Sequence, residues 1–294
     1  MQVPSHVEYE RASSVEHALA LLGRPDHRVL AGGHSLIPMM KLRLAQPGVL
    51  VDINGLAELA YIKELGGQLR IGALARHADQ LDSNIAGQHF PIFHDAERVV
   101  ADPIVRLWGT IGGSLCQADP SEDLSAVFAA VRATAVIRGQ DGDREVPVRE
   151  FHLGPYETVI GAGELLAEIR VPVHPGTGSA YEKIARRVGD WSVAAAGAVL
   201  RLEKQAIKEA GIGLTAVAAE HFVAAEAEDY LRGKPATEEN FQAAAKIAAE
   251  HCRPAPDQRG PEDYKRHLVA ELTARALRRA ASRAAVQRRA GAKA

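Results

Sequence analysis

The stretch that most constrains this chain is Val29-Leu30-Ala31-Gly32-Gly33-His34-Ser35-Leu36, followed by Ile37-Pro38-Met39-Met40-Lys41-Leu42. A short apolar run meets two glycines and a polar pair, a pattern that predicts strand, tight turn and helix. Glycine lets a backbone approach a ligand closely, because no Cβ intervenes. Free N–H groups in such a turn, next to a helix start, suit an anion such as phosphate. Pro38 fits a first helical turn, where its missing N–H costs nothing. A second stretch, Thr110-Ile111-Gly112-Gly113-Ser114-Leu115, repeats the pattern. The expectation is two glycine loops facing one diphosphate, each with a hydroxyl neighbour, Ser35 or Thr110.

The elements around these loops follow from periodicity and punctuation. Ser13 to Glu16 reads as a capping box for a helix that stops at Gly23. Val49 to Ile53 reads as a buried strand ended by Asn54-Gly55. Residues 1–55 therefore form an α/β unit. From Leu56 the pattern changes to a hairpin across Gly66-Gly67, a helix from Ala75 to Leu81, and another from Pro91 to Val100. An apolar helix from Leu124 to Val131 follows the second glycine loop, with Asp119 as its expected N-cap. A second hairpin surrounds Asp141-Gly142, and a strand covers 164–172. Val173-His174-Pro175-Gly176-Thr177-Gly178 is dense in Pro and Gly and marks a linker. The expected units are thus 1–176, split near residue 55, and 177–294. The second unit shows three strand-like runs (179–184, 193–202, 210–219) and then alanine-rich helices. The fold class is α+β.

Several functions are excluded at this level. A net charge of −2 gives no global attraction to nucleic acid or an acidic membrane. No apolar run is long enough to span a bilayer, and Met1 to His6 lacks a signal-peptide pattern; the expected location is the cytoplasm. The two cysteines, Cys116 and Cys252, are far apart. They cannot supply an iron–sulfur cluster, which usually takes four thiolates, nor a structural zinc site. No histidine spacing suggests a metal, and no Ser or Asp spacing suggests a catalytic triad. Gly211-Ile212-Gly213-Leu214-Thr215-Ala216 approximates a dinucleotide motif, but its alternation predicts a strand running through the glycines.

Other residues keep two readings. Asp123 either accepts hydrogen bonds from a ribose or sits in the first turn of its helix. His34 either bonds a ligand or braces its turn. Met39, Met40 and Cys116 read as packing residues. Lys183 and Trp191, flanking Arg186-Arg187-Val188-Gly189-Asp190, either contact a flavin or form a solvated strand end. After Glu271 no acidic residue occurs, while Arg275, Arg278, Arg279, Arg283, Arg288, Arg289 and Lys293 accumulate. That run is either a helix end matching its dipole or a docking segment.

Taken together, the motifs resemble a known family. Ala31 to Lys41 resembles the first FAD loop of molybdenum hydroxylase flavoproteins, of the carbon monoxide dehydrogenase and xanthine dehydrogenase type. Thr110-Ile111-Gly112-Gly113, with Asp119-Pro120 and Asp123, resembles their second FAD loop. Tyr181-Glu182-Lys183 and Arg186 to Trp191 resemble a third signature, and the order matches nearly end to end. The resemblance implies an FAD-binding (medium) subunit. Its N-terminal FAD domain would have two subdomains of the vanillyl-alcohol oxidase (PCMH) type. Its C-terminal domain would carry a three-stranded antiparallel sheet and helices.

The resemblance also implies the site. Val29 to Leu36 and Thr110 to Ser114 would bind the FAD diphosphate region, with Ala101 beside them. Asp123 would hold a ribose or ribityl hydroxyl. Leu166, Lys183 and Trp191 would lie near the flavin ring. No residue of this chain would be catalytic, and none would bind a metal. Ser114 departs from the Asn or Asp of many relatives, and Cys116 and Gln117 also differ. The 2Fe–2S clusters would sit on a small partner subunit and the molybdopterin cofactor on a large one, in a dimer of heterotrimers. The acceptor would be quinone, oxygen or NAD, with the complex in the cytoplasm or peripheral at the inner face of the membrane. The alternatives are a free-standing flavin oxidase or reductase of the same fold, and a non-enzymatic nucleotide-binding or assembly protein.

Overall fold

The structure, a computed structural model, describes residues 3–204 and 206–291. Met1, Gln2 and Lys293 lie outside the described residues, as do the side chains of Arg288 and Arg289.

The first unit runs β1 (Glu8–Arg11), α1 (Val15–Leu22), β2 (His27–Leu30), α2 (Leu36–Lys41) and β3 (Val49–Asp52). Its strands are parallel in the order β1-β3-β2. Val15, Ala18, Leu19, Leu21 and Leu22 of α1 cluster with Val51 and Ile53, as the helical spacing requires. The cap of α1 is Ser14 rather than Ser13: its Oγ accepts from the His17 N–H at 3.1 Å. Strand β1 is absent from the sequence reading because Glu-Tyr-Glu-Arg is largely exposed and offers no apolar run. Only its backbone pairing with β3 makes it a strand.

The second unit holds β4 (Ile62–Leu65), β5 (Gln68–Gly72), α3 (His77–Asp82), α4 (Asn84–His89), α5 (Pro91–Glu97) and α6 (Pro103–Trp108). It continues with α7 (Ile111–Gln117), α8 (Asp123–Ala130), β6 (Thr134–Gly139), β7 (Gly142–Pro147), α9 (Val148–Phe151), β8 (His152–Gly154), β9 (Glu157–Thr158) and β10 (Leu165–Pro172). Five antiparallel strands lie in the order β4-β5-β10-β6-β7. Phe93, Phe128, Phe151, Ile111 and Leu115 fill the core against them.

Two expectations are corrected in this unit. The second glycine stretch is not an open loop; it begins helix α7. Thr110 caps it, with Oγ1 accepting from the Gly113 N–H at 3.0 Å. Gly112 is required by packing, since a Cβ there would stand 2.6 Å from that of Ala73. The N-cap of α8 is Glu122, not Asp119. Its carboxylate accepts from the Leu124 and Ser125 N–H groups at 2.6 and 2.7 Å. Asp119 instead closes a turn onto the Ser121 N–H at 2.9 Å.

The third unit holds β11 (Thr177–Ala185), β12 (Ser192–Glu203), β13 (Ala206–Thr215), α10 (Ala225–Leu231), α11 (Glu238–His251) and α12 (Glu262–Gly291). Its three antiparallel strands follow chain order. The strand does run through Gly211 and Gly213, because α8 lies directly on it. A Cβ at either position would stand 2.0 Å from a carbonyl oxygen, of Ala130 or Ala126 respectively. The basic run of α12 is bound internally: Arg283 Nη1 reaches Asp95 Oδ2 at 2.6 Å, and Arg279 Nη2 reaches Asp95 Oδ1 at 3.0 Å. These pairs tie α12 to α5.

Candidate functional site

Residues from all three units line a cleft of about 790 Å³, within the span of small-molecule sites. Every sequence-predicted site residue reaches it except Ile111. Ile111 is fully buried in the core, and its N–H donates to the Ala75 carbonyl. Its side chain packs in the core and does not line the cleft.

The two glycine stretches are not equivalent. Among the described residues, none of the N–H groups of Gly32, Gly33, His34 and Ser35 donates to a backbone or side-chain acceptor. Those of Ile111, Gly112, Gly113 and Ser114 are all engaged, with Ala75 O, Ala73 O, Thr110 Oγ1 and Thr110 O. Among the described residues of the two stretches, backbone donors free to meet an anion thus occur on the first alone. Helix α2 has only six residues, so the turn rather than a macrodipole supplies the donors.

The stretches touch each other through Gly32. A Cβ there would stand 2.2 Å from the Trp108 carbonyl oxygen. Gly33 adopts φ +75°, which glycine alone takes without strain. A polar strap fixes the contact. Asn54 Nδ2 donates to the Ala31 carbonyl at 2.7 Å, and Arg76 donates both to Asn54 Oδ1 at 2.8 Å and to the Trp108 carbonyl.

The far wall is built around Asp123. Tyr181 Oη and Ser192 Oγ donate to its Oδ1 at 2.7 and 2.8 Å, and Lys183 Nζ to its Oδ2 at 2.7 Å. Both earlier readings of Asp123 gain a third: it joins the second unit to the third. Burial and the Asp123 charge push the Tyr181 phenol well above its usual range. Burial also pushes the neighbouring Glu122 carboxyl up to about 7, despite the N–H bonds it accepts. Trp191 is 45% exposed at the rim. Ala101 takes φ +46°, a strained conformation held by Arg106 donating to the Val100 and Ala101 carbonyls. Leu166 lies at a bulge in β10, a device common beside sites.

Sequence reasoning missed several lining residues. Thr158, Ile160 and the Gly161-Ala162-Gly163-Glu164 turn complete one side; that glycine-rich turn was the available signal. His77 carried no local signal. Its Nε2 lies 3.0 Å from Ser114 Oγ and its Nδ1 2.9 Å from Glu97 Oε2. This is the spacing of a Ser-His-acid triad, contrary to the sequence expectation. A hydrolytic triad also needs N–H donors for an oxyanion, and those of residues 111–114 are all committed.

Comparison with known proteins agrees with this geometry. Residues 5–174 match the FAD binding domain in molybdopterin dehydrogenase, and residues 179–280 the CO dehydrogenase flavoprotein C-terminal domain. The carbon monoxide dehydrogenase medium chain of Hydrogenophaga pseudoflava is 42% identical over 286 residues, spanning 96% of this chain and 100% of the relative. The glyceraldehyde dehydrogenase medium chain of Sulfolobus acidocaldarius is 37% identical over 279 residues, spanning 95% and 99%. The solved carbon monoxide dehydrogenase from Hydrogenophaga pseudoflava superposes with a TM-score of 0.92 at 44% identity, covering 96% of this chain and 99% of that one. Quinoline 2-oxidoreductase from Pseudomonas putida 86 gives a TM-score of 0.89 at 32% identity, with the same coverage. With two matched domains, full-length likeness and a cleft between them, the chain belongs to the FAD-binding medium subunits of the molybdenum hydroxylases, a family of oxidoreductases.

Proposed function

We propose that this cleft holds FAD and that the chain relays electrons within a larger complex. The observation that carries this is the pairing of one turn, Gly32 to Ser35, whose four N–H groups meet no acceptor among the described residues, with a cleft built from all three units. The turn fits a diphosphate, because converging N–H donors suit an anion. Val29, Leu30 and Ala31 line the approach, and Leu36 closes it. Thr110, Gly112, Gly113 and Ser114 form the facing wall beside Ala101. Asp123 fixes Lys183, and we assign Lys183, Leu166 and Trp191 to the flavin end. We divide the chain into a cofactor domain, 1–176, and a second domain, 177–294.

FAD, when bound, supplies one- and two-electron redox chemistry. The chain's own part is to bind it, orient it and set its surroundings. With only Cys116 and Cys252, the chain cannot supply the four thiolates of a usual cluster. We therefore assign 2Fe–2S clusters to a small partner subunit and the molybdopterin cofactor and substrate oxidation to a large one, in a dimer of heterotrimers. Electrons leave to an external quinone, oxygen or NAD. Among the described residues no helix is long and apolar enough to cross a membrane. We place the complex in the cytoplasm, with peripheral contact to the membrane's inner face.

The test uses the recombinant full chain. It is expected to bind FAD, to show no iron–sulfur absorption, and to accept electrons only when the reduced small subunit is added. Native pull-down is expected to recover a cysteine-rich small subunit and a large molybdopterin subunit. Sustained turnover of a small substrate by the chain alone would identify a free-standing flavoenzyme instead. Nucleotide affinity without flavin reduction by partners would identify a binding or assembly protein.

A further inference from the structure

The buried His77–Glu97 pair at the cleft wall is a titratable cluster that the relay leaves unused. Glu97 is fully buried and His77 is 3% exposed. His77 opens α3, Glu97 closes α5, and Ser114 lies on α7. Ser114 lines the cleft, and its Oγ lies 3.0 Å from His77 Nε2.

The hydroxyl has one proton to give and two lone pairs. If His77 carries a proton on Nδ1 alone, Nε2 accepts that single proton from Ser114. The Ser114 oxygen then turns only lone pairs toward the cleft, which repels an anion. If both ring nitrogens are protonated, Nε2–H donates to Oγ and the Ser114 O–H is free to point into the cleft. The protonation state of His77 thus decides whether Ser114 offers a ligand a donor or an acceptor. We propose that His77, oriented by Glu97, is a positioning residue that makes Ser114 a hydroxyl donor to a diphosphate oxygen of FAD. This rests on the FAD reading given above.

Geometry selects the diphosphate end. The Gly32–Trp108 contact sets the Gly32 to Ser35 turn beside the start of α7. An anion held by that turn lies next to Ser114's helix. Electrostatics gives the direction. Burial pulls the imidazolium down, but the Glu97 charge, the Glu97 hydrogen bond and the Glu122 charge together outweigh it, so His77 stays protonated above the usual histidine range. The charged groups facing the pair are Arg106 on α6, Glu122 at the cap of α8 and Asp123 in its first turn. Arg76 precedes α3, and Asp79 lies on it. FAD affinity is therefore highest with His77 protonated and falls as pH rises through its folded pKa.

The experiment is FAD titration of the apo full chain by flavin fluorescence, from about pH 6 to about pH 9. Wild type is expected to lose roughly tenfold or more in affinity across that range, the weight of a hydrogen bond to a charged group. Ser114→Ala should bind weakly and without this pH dependence. H77Q/E97Q, which removes both titrating groups together and leaves no buried unpaired charge, should also be flat. Glu122→Gln should keep the fall, separating His77 from the other group that titrates nearby. ADP-ribose, which carries a diphosphate esterified at both ends but no flavin, should show the same fall. A fall that survives in Ser114→Ala or H77Q/E97Q, a fall lost in Glu122→Gln, or flat ADP-ribose binding overturns the proposal. Flat FAD binding by wild type overturns it alone, whereas no FAD binding at any pH overturns the FAD reading and this proposal with it.

Discussion

Gly32 and Gly33 differ in why they must be glycine. Gly33 is constrained by its own backbone, at φ +75°. Gly32 is constrained by its neighbour, because its Cα faces the Trp108 carbonyl from the next unit. Gly32→Ala would push the two stretches apart, with strain of about 1–3 kcal/mol. FAD affinity is expected to drop at least tenfold with an unchanged far-UV circular dichroism spectrum; unaltered affinity would show that the contact does not shape the site. Gly33→Val places a β-branched residue in the left-handed region and should also abolish FAD binding. Both glycine pairs were legible in the sequence, since they interrupt apolar runs. Their separate reasons were not. The free N–H groups of one stretch and the engaged ones of the other depend on Ala73 and Ala75, which lie well over thirty residues upstream of α7. His77 and Glu97 were invisible for the same reason: two helices bring them together, and no local spacing announces it.

Among the elements, the strap from Asn54 to Arg76 decides whether the two stretches stay in register. Asn54 was legible only as the end of a strand. Its amide in fact joins the Ala31 carbonyl to the Arg76 guanidinium. Asn54→Ala removes both bonds, at about 0.5–1.5 kcal/mol each. A several-fold loss of FAD affinity is expected by titration, with a smaller loss of stability. Equal affinity in the variant would assign the register to packing instead. Periodic elements were the easiest to read: α1, β3, β10 and the three strands of the last sheet all lie near their expected places. The misses share one physical cause. Strand β1 and helix α7 are set by partners rather than by their own residues, and the caps at Ser14 and Glu122 depend on which hydroxyl or carboxylate the chain geometry brings into reach. The motif-like Gly211 and Gly213 teach the same lesson in reverse. They are glycines because α8 presses its carbonyls onto β13, so Gly213→Ala should destabilise the fold by roughly 1–3 kcal/mol in urea.

At the scale of the whole molecule, the Glu122–Asp123 corner couples the cleft, the α8 cap and the third unit. Asp123 takes donors from β11 and β12, while Glu122 carries the N-terminus of α8. Burial of Glu122 gives the apo chain a distinctive pH response. Its folded carboxyl titrates at about 7, above the 4.5 expected when unfolded. A raised folded value favours folding fully below the unfolded value, and that contribution is lost as pH rises toward 7. The His77 shift has the same sign and is lost at still higher pH. Opposing them, Asp52 and Glu164 have lowered values, held down by Tyr9 and Asn54 and by Arg144 respectively. Their contribution disappears as pH falls through the folded carboxylate range. Stability should therefore peak in mild acid and decline toward alkaline pH. The Glu122 part of that decline is on the order of 3 kcal/mol. Urea midpoints at about pH 5 and about pH 8 measure it. Glu122→Gln retains an acceptor for the α8 cap but cannot ionise, so its midpoint should change much less between the two. An equally steep decline in that variant would move the origin of the effect away from this corner, and a flat wild-type profile would remove the effect altogether.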